Sequence, residues 1–185
     1  DVDVQITLMT FEPFIMIGIF ASIFAPIEFL FPARNRPDFS WRRYRTDLLH
    51  AIVGGYAIRF GTALTLGGLF SLTGSWANLA SWPLWAQLPA LLLISDLAVW
   101  LAHRLFHAVP VLWQFHKIHH SSEHLDWLAT FRVHPIDQIV SATIISLPAL
   151  TLGFSPLALF IYGTIYQWHA VYLHSNVRLS LGPLA

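Results

Sequence analysis

Five of the chain's ten histidines form two tight groups, His103-Arg-Leu-Phe-His107 and His116-Lys-Ile-His119-His120. An α-helix turns about 100° per residue, so positions i, i+3 and i+4 share a face. At helical spacing His103 and His107 point one way, and His116, His119 and His120 point together. Neutral imidazole is the commonest metal ligand among side chains. A single histidine is most often an ordinary residue bonded to one polar neighbour, but five in two spaced groups exceed what hydrogen bonds alone satisfy. The pattern reads as a metal site.

One ion takes three or four protein ligands, so this many histidines point to two metals, or to one metal with supporting histidines around it. Soluble di-iron bundles rely mostly on carboxylates. Here the nearby acids are only Asp96, Glu123, Asp126 and Asp137, so imidazole must carry the site. Neutral ligands leave the ions strongly positive and oxidising, which suits oxygen activation and attack on an unactivated C–H bond, with the protein positioning the substrate. Zinc also fits imidazole, and a zinc-loaded preparation would be consistent with the pattern. A zinc protease is disfavoured, because Arg104 stands where the His-Glu-x-x-His motif needs its general base. Haem is disfavoured too, since imidazoles at i and i+4 of one helix do not oppose each other across one iron.

Other candidates are weaker. Asp96 lies seven residues before His103, near the same helix face and inside an apolar stretch, where an ionisable group is a functional candidate because burying charge is expensive. About 10 Å of axial rise separates the two, so its role would be indirect. His134, in Arg132-Val-His134-Pro135, reads as a ligand, a supporting residue or a surface residue, and His124 as a surface residue. His169 and His174 are about 140° apart on a helix and face one metal only if that helix is broken. Of the two, His174, followed by Ser175 and Asn176, is the preferred ligand. His50 stays outside the site.

These groups need a frame. With 56% hydrophobic and 11% charged residues, the chain departs from soluble domains, where about a quarter of residues are charged. It reads as an integral membrane protein. The absence of cysteine excludes disulfides, thiolate ligands and iron–sulfur clusters, and zero net charge suggests no polyanion or nucleic-acid partner. Residues 11–31 form a first apolar span, expected to kink near Pro26, and too long for a cleavable signal peptide. The stretch 32–47 gathers Arg34, Arg36, Arg42, Arg43 and Arg45, half of all Lys and Arg, which places it on the cytoplasmic side. Residues 48–72 form a glycine-rich second span. Residues 84–101 re-enter the membrane and deliver His103 and His107 to its cytoplasmic end. Pro110 should break that helix and start another near Val111. Residues 136–172 are too long for one crossing and read as a helical hairpin turning at Pro148, Gly153 and Pro156, which returns His169 and His174 to the histidine side. The expected fold is all-α: a polytopic bundle of about four membrane-embedded helices plus the hairpin, with a cytoplasmic-side histidine cluster. It is read as one structural domain, with membrane helices over 1–102 and a histidine-box catalytic region over 103–185. Because it begins at Asp1 rather than Met, the sequence is read as a segment of a longer chain.

At these residues the chain resembles the fatty acid hydroxylase and sterol desaturase superfamily of membrane di-iron oxygenases. That family is marked by His-x3-His, then His-x2-His-His, later a single His often followed by Asn, and a final His-x2-His-His. His103 to His107 match the first box, His116 to His120 the second, and Leu173-His174-Ser175-Asn176 the third element. The run from His119 through Glu123 to Arg132-Val-His134-Pro135 is also similar to many members. No second His-x2-His-His precedes Ala185, although in the family it follows a segment like 176–183. The sequence therefore reads as stopping ahead of that box, and this segment alone is expected to bind metal poorly and to be inactive.

The resemblance implies two iron ions, O2 as cosubstrate, and two electrons from a separate donor: cytochrome b5, a ferredoxin or a reductase. The implied reaction hydroxylates or desaturates a lipid alkyl chain or a sterol. It implies His103, His107, His116, His119, His120 and His174 as catalytic iron ligands, His134 and His169 as further metal candidates, and Asp96, Glu123 and Asn176 as supporting residues. Substrate would enter from the bilayer of a bacterial inner membrane or the endoplasmic reticulum, with the site on the cytoplasmic face. The rival reading is a membrane protein that binds or transports metal without catalysis, which should place its ligands near the bilayer midplane. A catalytically dead relative is the third.

Overall fold

The structure, a computed structural model, describes residues 2–35 and 41–178, with side chains from Phe14 onward. Arg36 and the segment after Arg178 lie outside the described residues. Helices account for most of what is described: α1 (Val2–Leu30), α2 (Trp41–Leu49), α3 (Gly55–Thr73), α4 (Leu84–Ala108), α5 (Pro110–His116), α6 (Pro135–Thr151) and α7 (Pro156–His174). A π-helical turn over His50–Gly54 joins α2 to α3, and short 3-10 turns lie at Leu79–Ser81, His119–Ser121 and Trp127–Phe131. The sole β feature among the described residues is an isolated antiparallel bridge between Pro32 and Val177.

Two helical segments are long and apolar enough to cross a membrane, Trp41–Thr73 and Leu84–Ala108, and Phe14–Leu30 is a shorter apolar one. Their outward faces carry Phe60, Leu64, Leu72, Leu93 and Leu97, each more than 60% exposed. Water does not tolerate apolar surface that continuous, whereas lipid does. The kink expected at Pro26 does not interrupt α1, which stays helical to Leu30.

The chain forms two compact units that interleave in sequence. The first comprises Asp1–Gly55, Ser121–Arg132 and His169–Ala185. Its organiser is Glu28, 2% exposed, whose Oε1 accepts the backbone N–H of Trp127 at 2.7 Å and of Asn176 at 2.9 Å. Asp126 caps the turn at Trp127 by accepting from Leu128 N and Ala129 N, both at 3.0 Å, and pairs with Arg43 at 3.3 Å. Burial pushes the Asp126 carboxyl above its ordinary range, opposed by the Ala129 N–H and by the Arg43 charge. Buried Asp47 pairs with Arg132. The arginine-rich stretch thus supplies structural ion pairs as well as charge.

The second unit comprises Tyr56–His120 and Val133–Trp168. Helices α4 and α6 pack along each other, with Leu91, Ala149, Phe154 and Ala158 as the buried centre. The hairpin expected at Gly153 is present: α6 ends at Thr151, α7 starts at Pro156, and Gly153 takes φ of 68°. That left-handed conformation favours glycine. Gln87 of α4 is buried and ties the turn down, its Oε1 accepting from Ser155 N at 3.0 Å and its Nε2 donating to Trp82 O at 2.7 Å. Gly61 lets α3 approach α6, since a Cβ there would meet Ile139 Cδ1 at 2.3 Å.

Candidate metal centre

α4 ends at Ala108, where extended Val109 and then Pro110 break it, and α5 starts at Pro110. Proline lacks the N–H that would continue α4, and its fixed φ suits the first position of a new helix. The break turns α5 so that His116 returns toward His103 and His107. α5 stops at His116, and His119 and His120 fall on a separate 3-10 turn. The common helical face expected for His116, His119 and His120 is therefore not formed.

What forms instead is a four-histidine group. The ligand atoms of His103, His107, His116 and His120 all lie within 4.8 Å of one another. His120 Nε2 stands 3.2 Å from His107 Nε2 and 3.2 Å from His116 Nε2. The His103 ring lies 4.6 Å from that of His107 and 4.9 Å from that of His116, centroid to centroid. One imidazole nitrogen carries either one hydrogen or one lone pair, so at most one of the two short contacts of His120 is a good hydrogen bond. With metal–nitrogen bonds of about 2.0–2.1 Å, neighbouring ligand atoms stand about 3 Å apart. The 3.2 Å contacts of His120 are compatible with a shared metal ion.

His116 is the buried member, at 5% exposed, while His103, His107 and His120 are open on one side. Its Nδ1 donates to Asp137 Oδ2 at 2.8 Å. In a neutral ring that bond leaves the Nε2 lone pair turned to the group, as metal-ligating histidines commonly require. Asp137, 2% exposed, also accepts from Ser141 Oγ at 3.3 Å. Phe106 and Trp113 wall the group, with rings 5.3 Å from His116 and 5.1 Å from His107.

Other expected site residues sit elsewhere. The His119 ring is adjacent, 5.7 Å from that of His116 and 5.5 Å from that of His120, but is not one of the four. His134 caps α6, its Nδ1 accepting from Ile136 N at 3.1 Å, and stacks on Phe115. Asp96 and Glu123 are exposed and stand outside the four-residue group. His169, His174 and Asn176 belong to the first unit. α7 is unbroken from Pro156 to His174, so His169 and His174 do not share a face. His174 Nδ1 donates to Ala170 O at 2.8 Å, which fixes its tautomer. Asn176 pairs both side-chain amide groups with the backbone of Arg34, at 2.9 and 3.0 Å.

Asp137 bonds a member of the group, and motif reasoning gave it no role. It sits in the first turn of α6 just after His134-Pro135, where an acid is already favoured by the helix dipole. That local explanation hides its partner, 21 residues earlier.

A description of the fatty acid hydroxylase family matches residues 88–185. Among curated proteins, the chain is 35% identical over 94 residues to an ornithine lipid hydroxylase from Rhizobium tropici, covering 50% of this chain and 28% of that protein. It is 33% identical over 96 residues to alkylglycerol monooxygenase from Homo sapiens, and 31% over 90 residues to that from Danio rerio, each covering 48% of this chain and 20% of the relative. The matched region thus spans under a third of the length of these relatives. No solved structure matches. Two histidine boxes brought together at the end of an apolar helix, within the matched residues, carry the assignment: the chain belongs to the fatty acid hydroxylase family.

Proposed function

We propose that the protein carrying this chain hydroxylates a lipid alkyl chain, using O2 and a histidine-ligated di-iron centre. The observation that carries this reading is the convergence of His103, His107, His116 and His120 within 4.8 Å, with His116 anchored on Asp137. Hydroxylation is preferred to desaturation because the relatives are named a hydroxylase and monooxygenases. The four histidines would hold one ion. His119, whose ring lies beside them, is the candidate ligand for a second.

When bound, iron supplies oxygen activation and C–H cleavage. The chain's own residues do the rest. Asp137 holds the His116 ring by its Nδ1–H, so the imidazole need not reorient as a ligand. Phe106 and Trp113 keep water from the flank of the group. A cavity of about 370 Å³ lies between α3, α4, α6 and α7, within the size range of small-molecule sites. Gln138 and Ser141, one and four residues after Asp137 on α6, line it together with Leu150 and Leu159. An alkyl chain lying there would have one end directed toward the helix turn that holds His116.

Electrons come from a separate donor protein, a cytochrome b5, ferredoxin or reductase. The arginine-rich stretch supports a site on the cytoplasmic face, in a bacterial inner membrane or the endoplasmic reticulum. The transport reading is disfavoured, because the group lies at the end of α4 rather than midway along it. Iron analysis and Mössbauer spectroscopy on the full-length protein in detergent, with His116→Ala and His120→Ala, test the centre. Lipid mass spectrometry of cells with and without the gene tests the product. Iron content unchanged in both variants would overturn the proposal.

A further inference from the structure

The cavity between α3, α4, α6 and α7 has its mouth on α7. Of the residues that line it, Gly163 and Tyr166 are the exposed ones, and all the others are buried or half-buried. A residue that borders a cavity and also faces outward stands at its opening. The two lie three apart on one helix and so share a face. Phe160, one turn before Gly163, is 72% exposed, and Tyr166, one turn after it, is 40% exposed. Positions 160, 163 and 166 thus form a row along α7 in which two aromatic rings flank a residue with no side chain.

Neither backbone nor packing asks for glycine there. Gly163 lies inside α7, where glycine destabilises a helix relative to alanine. Gly74 and Gly153 are accounted for by their positive φ, and Gly61 by the Ile139 side chain that a Cβ would meet at 2.3 Å. Gly163 has no positive φ, and a Cβ on it would meet nothing within 4 Å. Gly67 and Gly68 of α3 are equally unobstructed, but Gly163 is the glycine that borders the cavity. A side chain at this position would occupy open space at the mouth. Apolar groups stand on both sides of it: Leu66, Ile145 and Leu159 within, and exposed Leu157, Phe160 and Ile165 on the outward surface of α7. An alkyl chain passing between them stays among apolar groups throughout.

We propose that Gly163 is a specificity-determining residue of the lipid site. Its missing side chain is the clearance through which an alkyl chain enters the cavity, and the size of the residue at this position limits the cross-section of the chain admitted. That the occupant is a lipid chain rests on the oxygenase reading above.

The test uses the full-length, iron-loaded protein in detergent, with straight-chain hexadecanoic acid and its tetramethyl-branched counterpart competing against a fluorescent fatty acid. Gly163→Ala should hold or raise the melting temperature, since the helix gains and nothing clashes, and should bind the straight acid within about twofold of the wild type. Gly163→Leu should lose about tenfold more affinity for the branched acid than for the straight one, and Gly163→Trp about tenfold or more for both. Gly68→Trp, about 200° round α3 from the cavity-lining Leu66, should bind both acids as the wild type does. Iron content should stay constant across the series. A straight-to-branched ratio and an affinity that ignore the residue at this position overturn the inference. So does a loss that Gly68→Trp shares, or one that follows melting temperature and iron content down, the behaviour of a helix-packing residue. A wild type that holds iron but binds neither acid overturns it too. Iron and lipid bound without dependence on Gly163 would sink this inference alone, whereas absence of iron and of all lipid binding from the wild type would sink the oxygenase reading with it.

Discussion

Asp137 accepts the Nδ1 hydrogen of His116 at 2.8 Å, and both side chains are buried. Removing the carboxylate frees the ring to rotate and to change tautomer. Partners of this kind are worth roughly 10- to 100-fold in metal affinity. Asp137→Ala should weaken metal binding by that order, measured by chelator competition, while Asp137→Asn, which keeps an acceptor oxygen, should fall between it and the wild type. Equal affinity for all three would remove Asp137 from the site.

His119 and His120 are neighbours in sequence but not in role. His120 Nε2 touches two ring nitrogens of the group, whereas His119 stands beside it. With two ions per site of the kind two-metal enzymes use, His119→Ala should lose about half the iron. His120→Ala should lose more, because it opens the four-histidine group itself. Iron counts on purified variants decide this, and the reverse order would contradict it.

At Gly153 a Cβ would come within 2.4 Å of the Ala77 carbonyl oxygen, and φ is already 68°. Gly153→Ala therefore combines left-handed strain with a backbone clash. The expected loss is about 2 kcal/mol or more, seen as a lower melting temperature in detergent. Gly74→Ala provides the control: it shares the positive φ, but its Cβ would meet nothing within 4 Å, so it should cost less.

Glu28→Ala would strand the N–H groups of Trp127 and Asn176, the first of them buried. Unsatisfied donors cost about 1–3 kcal/mol each when buried, so the loss should be roughly 2–4 kcal/mol. Glu28→Gln retains an acceptor oxygen and should recover most of it. A thermal melt of the three proteins separates this bonding role from a role of charge alone.

The features legible in the sequence are those that depend on near neighbours. His103 and His107 converge because i and i+4 share a helix face. The break at Pro110 follows from a missing donor, and the hairpin at Gly153 from a conformation that favours glycine. The apolar spans follow from composition. The expected shared face for His116, His119 and His120 failed for a reason beyond spacing: α5 ends at His116, so the last two rings are set by a 3-10 turn with different angular steps.

By itself, then, the sequence determined which imidazoles exist, where the backbone must turn, and which helices are long and apolar enough to cross a membrane. Only the tertiary structure decided that four rings meet, that Asp137 supports one of them across 21 residues, and that Glu28 receives N–H groups 99 and 148 residues away. The physical reason is range. Helical periodicity fixes directions within a turn or two, whereas a hydrogen bond between distant residues exists only once packing has brought their helices and loops to within about 3 Å.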